Sequence, residues 1–172
     1  AGGAEVRTER RSGERDVSVI GYCFGGVLSL LYASIFNDGP MKNLVCSTTP
    51  IDFGQMKLFQ SFSDRRYFDV DRLVDSVGNV PPELIFQSFE MLRPVSRPIA
   101  QIQLWENMWN DEFVKSYRMF DRWAQDTLPL AGEYFRQTTK DLMWDNKLYE
   151  RTMMVGGRRA DISRIKVPIL HA

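Results

Sequence analysis

The sequence predicts an α/β fold in which a parallel sheet carries a sharp strand–turn–helix corner and is interrupted by a long helical insertion. Three observations carry this. An apolar strand-like run at 17–20 leads into Gly21-Tyr22-Cys23-Phe24-Gly25-Gly26 and then into an apolar helix-like run at 27–36. A second strand-like run at 42–47 completes a β-α-β unit, whose continuous apolar strands suit a parallel sheet covered on both faces. Residues 54 to 150 then change character, holding most of the aromatic residues and no clear strand.

Taken in order, the charged stretch 7–13 reads as the tail of a helix stopped at Gly13. A strand follows at 16–22 and a helix at 24–36. Asn37-Asp38-Gly39-Pro40 ends that helix, and the next strand runs over 42–47. In the middle region Trp105, Met108, Trp109, Phe113, Phe120 and Trp123 recur near i+3/i+4, which predicts helix. Pro81-Pro82, Arg93-Pro94 and Arg97-Pro98 divide it into shorter helical pieces. Residues 162–166 lead into a buried strand at 167–170. The expected organisation is a core from 1–53 and 151–172, with 54–150 inserted as a helical lid. The lid's Phe, Trp and Met side chains fit core packing, a greasy substrate channel or a subunit contact.

Bulk properties narrow the function. The 172 residues suffice for a domain with a real core. Lys+Arg and Asp+Glu both number 22, so the net charge is zero, which argues against nucleic-acid binding. Hydrophobic content of 44% and mean hydropathy of −0.30 are ordinary for a soluble domain. No apolar run approaches the roughly 20 residues of a membrane span, and no secretory signal or metal-ligand cluster is visible. Two cysteines, Cys23 and Cys46, suit reduced, cytosolic usage. Cys46, inside a strand-like run, reads as a small buried apolar residue. The first residue is not Met and the last residues fall in a strand, which suggests a piece of a longer protein.

The corner carries the chemistry. In a nucleophile elbow the reactive residue sits at a strained bend between strand and helix, its side chain clear of the sheet. Cys23 occupies that position. Gly21 and Gly25, two residues either side, suit the close approach of strand and helix, and Gly26 follows. Phe24 offers its backbone N–H as one oxyanion-hole donor. The helix beginning there turns the positive end of its dipole towards Cys23, which favours negative charge. The alternative is a glycine-rich turn holding a passive cysteine.

Gly21-Tyr22-Cys23-Phe24-Gly25-Gly26 resembles the lipase-like box of polyhydroxyalkanoate synthases, in which cysteine replaces serine on an α/β-hydrolase fold. Residues 42–53, ending Thr48-Thr49-Pro50-Ile51-Asp52-Phe53, are similar to the strand and T-P-x-D-F segment that follows it. Trp123-Ala124-Gln125-Asp126-Thr127-Leu128-Pro129 looks like the family's lid segment. Asn146-Lys147-Leu148, residues 156–162 and residues 165–170 are similar to the return into the core. The resemblance covers residues 13–172 and is strongest to the short catalytic subunits that pair with a second, non-catalytic subunit.

The resemblance implies a cysteine acyl-enzyme formed from (R)-3-hydroxyacyl-CoA with release of CoA, and transfer of the acyl group to a growing polyester. It implies no cofactor, a cytoplasmic place at the polyester granule surface, and a second subunit or a homodimer as partner. The catalytic Asp and His are expected after residue 172, and the second oxyanion donor before residue 1. His171, the one histidine, reads as a strand residue rather than the base, and Asp126 and Asp161 are poor triad members. A cysteine esterase of the dienelactone hydrolase type shares the elbow, but not so long an insertion. A degenerate, non-catalytic interaction module on the same fold is the alternative from another class.

Overall fold

The computed structural model describes residues 13–92 and 94–172. The helix tail expected ahead of Gly13 lies outside the described residues. Two compact units form. One takes in the described residues up to Ser63 together with Lys140–Ala172, and the other is Asp64–Thr139. Residues 54–63 and 140–150 therefore cluster with the sheet, and the helical unit is shorter than the 54–150 span.

In the sheet unit, β1 (Val17–Tyr22) pairs in parallel with β2 (Met41–Ser47). A third strand, β5 (Ile169–His171), pairs in parallel with the other side of β2. Between β1 and β2 runs α1 (Phe24–Ile35). Its buried residues Val27, Leu30, Leu31 and Ser34 recur at i, i+3, i+4 and i+7, the stripe that a helix needs to cover a core. Leu30 and Ala33 pack with Met41, Leu44 and Cys46 of β2, while Val27 and Leu31 pack with Phe53, Leu142, Leu148, Met153 and Ala160. One helix thus joins the sheet to the segments that return from the insertion. Burying each large side chain in these clusters is worth about 1.5–3 kcal/mol.

The sheet is covered on one face among the described residues, not on both. Leu44 and Cys46 are buried, whereas Ile20 and Leu170, register partners of Val45 from either side, are 76% and 62% exposed. Side chains alternate across a strand, so Ile20, Val45 and Leu170 form one apolar row on the open face. The strand expected to be buried at 167–170 is correspondingly exposed along Ile169–His171.

The rest of the unit comprises a 3₁₀ turn at Phe53–Gln55, α2 (Lys57–Phe62), a π-helix at Thr138–Trp144 across the unit boundary, a hairpin and a 3₁₀ turn at Ile162–Arg164. The hairpin joins β3 (Met153–Val155) to β4 (Arg158–Ala160) through Gly156 and Gly157, at φ +55° and +76°. A two-residue turn with both φ values positive matches the twist of paired strands, and glycine adopts it freely. Sequence reading took Gly156-Gly157 only as a turn back to the core. Where the chain leaves and rejoins this unit, the Trp144 indole N–H donates to the Ser63 carbonyl.

The helical unit contains α3 (Val70–Val77), α4 (Pro82–Leu92), α5 (Ser96–Glu106), α6 (Asp111–Gln125) and α7 (Gly132–Gln137). Pro82 opens α4 and Pro98 lies in the first turn of α5, where a missing N–H costs little. The aromatic stretch 105–123 is two helices. Asn110 caps the second by accepting from the Phe113 N–H at 3.2 Å. Trp105, Trp109, Phe120 and Trp123 are all exposed. Arg136 on α7 reaches Asp71 and Asp75 on α3, which push its guanidinium further above its usual range.

Candidate active site

Cys23 stands between the end of β1 and the start of α1 with φ +51° and ψ −121°. Few L-residues adopt such backbone, and holding one there costs about 1–3 kcal/mol. Two hydrogen bonds fix the corner. The Cys23 N–H donates to the Ser47 carbonyl on the neighbouring strand at 2.8 Å, and the Cys23 carbonyl accepts from the Gly26 N–H at 3.0 Å. The thiol is exposed, and Phe24 opens the helix directly behind it.

The glycines divide into those the corner requires and one it tolerates. A Cβ on Gly21 would lie 2.5 Å from the Gly26 α-carbon, and one on Gly26 would lie 1.8 Å from the Thr49 hydroxyl oxygen. A Cβ on Gly25 would meet nothing within 4 Å. The expected collision at Gly25 is therefore absent. Gly25 turns its missing side chain into open space, and the close approach falls on Gly26, which faces the loop after β2.

That loop carries residues to which sequence reading gave no role. Thr48 has φ +48° and Thr49 is 5% exposed. The Thr48 N–H donates to the Ala172 carbonyl at 2.7 Å, and the Ala172 N–H donates to the Cys46 carbonyl at 2.9 Å. Further on, Asp52 Oδ1 accepts from the Gly54 N–H at 2.9 Å and from Asn146 Nδ2 at 2.7 Å, while Asn146 Oδ1 accepts from the Phe53 N–H at 3.0 Å. The sequence signal for this buttress is the run Thr48-Thr49-Pro50-Ile51-Asp52-Phe53.

His171 lies on β5 in register with Cys46, as a strand residue, and its Nε2 donates to the Thr49 carbonyl at 3.0 Å. Among the described residues Cys23 and Cys46 are free thiols. Cys46 is fully buried, and that burial pushes its thiol up. Asp161 is used locally: it accepts from the Ser163 N–H and hydroxyl, which hold its carboxyl below the usual range. Asp126 follows the end of α6 in the helical unit. The structure brings together Cys23, Phe24, the three glycines and the 47–49 loop.

A family profile described as alpha/beta hydrolase fold matches residues 7–161. The chain is 34% identical over 157 residues to the poly(3-hydroxyalkanoate) polymerase subunit PhaC of Thiocystis violacea, covering 90% of this chain and 43% of that protein. It is 32% identical over 156 residues to the subunit of the same name from Allochromatium vinosum, with 90% and 43% covered. It is 30% identical over 163 residues to that of Haloferax mediterranei, with 94% and 33% covered. The chain thus spans between a third and somewhat under half the length of these relatives. A strained strand-to-helix corner on a parallel sheet and a match over most of its residues agree: this chain belongs to the alpha/beta hydrolase fold family.

Proposed function

We propose that this chain carries the nucleophile of an acyltransferase that polymerises (R)-3-hydroxyacyl groups from their CoA thioesters into polyhydroxyalkanoate. One observation carries the reading: an exposed thiol at the bend of a strained elbow, in a chain similar to proteins named as polymerase subunits. The Cys23 sulfur attacks the thioester carbonyl carbon as thiolate. The bond from that carbon to the CoA sulfur breaks, and CoA leaves as its thiol after taking up a proton. The acyl group, now a thioester of Cys23, passes to the hydroxyl end of a growing polyester or receives it. A thiol suits both steps, being a strong nucleophile and a good leaving group.

In this reading Phe24 supplies a backbone N–H to the developing oxyanion, since it is the residue after the nucleophile at a helix start. In this reading none of His171, Asp126 and Asp161 serves as the base or as the aspartate that orients it. The chemistry calls for no cofactor beyond the acyl-CoA itself. The exposed tryptophans and phenylalanine of the helical unit suit contact with a greasy polymer, a second non-catalytic subunit or a second copy. The reading places the protein in the cytoplasm at the polyester granule surface. Among the described residues no helix is long and apolar enough to cross a membrane.

The test incubates the protein at its natural full length with (R)-3-hydroxybutyryl-CoA. CoA release and peptide mass are followed, with Cys23→Ala alongside. The expected result is an acyl adduct on the Cys23 peptide, polymer formation, and loss of both in Cys23→Ala. CoA release that survives Cys23→Ala overturns the assignment. Release of free hydroxy acid without polymer replaces transfer by hydrolysis.

A further inference from the structure

Two non-glycine residues with positive φ stand side by side just past the C-terminal ends of two adjacent strands. β1 ends at Tyr22 and β2 ends at Ser47, and these two are register partners. The next residue on each strand is Cys23, at φ +51°, and Thr48, at φ +48°. Positive φ is a genuine outlier for a β-branched residue, because its Cβ substituents crowd the backbone. Such conformations persist only where the surroundings hold them, and they gather at functional sites.

The hydrogen bonds say what Thr48 does there. Its hydroxyl donates back to the Ser47 carbonyl at 2.8 Å. That same carbonyl accepts the Cys23 N–H at 2.8 Å. Thr49 braces the loop from below: its side chain fills the space beside Gly26, and its carbonyl is held by His171 Nε2 at 3.0 Å. The Thr49 hydroxyl reaches the same carbonyl at 3.4 Å, the longer of the two hydroxyl bonds, so the direction of the Ser47 carbonyl depends chiefly on the turn at Thr48, and the backbone of Cys23 hangs on that carbonyl. Thr48 is exposed, as Cys23 is.

We infer that Thr48 is a positioning residue for Cys23, acting through the Ser47 carbonyl to aim the thiol for attack on an acyl thioester. This rests on the reading of Cys23 as the nucleophile. It goes beyond it by assigning the aim of the thiol to a residue on the neighbouring strand.

The experiment compares two reactions of the same sulfur in the full-length protein: acylation by (R)-3-hydroxybutyryl-CoA, which needs a placed thiol, and alkylation by iodoacetamide, which does not. Both are read at the Cys23 peptide by mass, with the melting temperature measured alongside. Thr48→Gly accepts the positive φ and removes the hydroxyl. Acylation should fall, by up to the roughly hundredfold loss that a misplacement of about 1 Å brings, while alkylation and melting temperature hold. Thr48→Ser, which keeps the hydroxyl, should restore acylation. Unchanged acylation in Thr48→Gly overturns the inference, as does a parallel fall in acylation, alkylation and melting temperature. Failure of the unaltered protein to acylate Cys23 overturns the nucleophile reading itself, a result distinct from these.

Discussion

Asn146 donates its side-chain N–H to Asp52 at 2.7 Å, joining two positions 94 residues apart in the chain. Its carbonyl oxygen accepts from the Phe53 N–H, and its own backbone sits at φ +48°, which asparagine tolerates better than most residues. Asn146→Ala removes both bonds and strains the backbone. Leaving part-buried polar groups unpaired costs about 1–3 kcal/mol. The urea midpoint should drop accordingly with an unchanged slope; a midpoint equal to that of the unaltered protein would show that the pair contributes nothing.

The elbow glycines should not behave alike. Gly21→Ala sets a methyl group 2.5 Å from backbone at Gly26, which cannot move without shifting α1. Overpacking of this kind costs about 1–3 kcal/mol, and the displaced helix start should slow any reaction of Cys23. Gly25→Ala meets open space in the first turn of α1 and should gain at most about 0.5–1 kcal/mol, the figure for a helix interior. Thermal melts of the two variants, with Cys23 alkylation rates, check the pair. Equal effects would contradict the geometry.

Within the helical unit, a Cβ on Gly132 would lie 2.0 Å from the Gly78 carbonyl oxygen. The contact allows α7 to lie close against α3 and allows Arg136 to reach Asp71 and Asp75. Gly132→Ala should part the two helices and lower stability by about 1–3 kcal/mol. Hydrogen exchange should rise in α3 and α7 together. A rise confined to α7 would mean that the two helices do not depend on each other.

Asp64 should titrate abnormally. The Arg66 guanidinium and backbone N–H hold its carboxyl at about 2, below the ordinary carboxylate value of about 3.9. Because the folded value is the lower one, what this contact adds to stability is present above about pH 4 and is lost as pH falls through about 2. The pair is exposed, so the effect on global stability is small. Carbon-13 NMR should find the low midpoint, and Arg66→Ala should return it towards about 3.9. A midpoint unmoved by Arg66→Ala would exclude the guanidinium as its cause.

The β-α-β unit was legible in the sequence because its signals are local: an apolar run, a glycine corner, an apolar stripe at helical spacing and an Asn-Asp-Gly-Pro stop. The place of Cys23 at that corner was legible for the same reason. The exposed row of Ile20, Val45 and Leu170 was not, since an apolar strand looks the same whether or not anything covers its second face. The break between α5 and α6 was hidden because apolar spacing continues on both sides of it, and only the capping bonds of Asn107 and Asn110 mark the boundary. The need for glycine at 26 rather than 25 depends on where Thr49 comes to rest, and that is decided by a strand more than a hundred residues further along, through His171.

The bond from the Trp144 indole to the Ser63 carbonyl ties the exit and the return of the chain to one spot on the sheet unit. A segment whose two ends are pinned together can change in length or content while the register of the sheet stays as it is, because closing a longer loop costs only about 0.6 kcal/mol per doubling. The helical unit is in this sense a replaceable cassette, free to vary in length and content while the corner at Cys23 is kept.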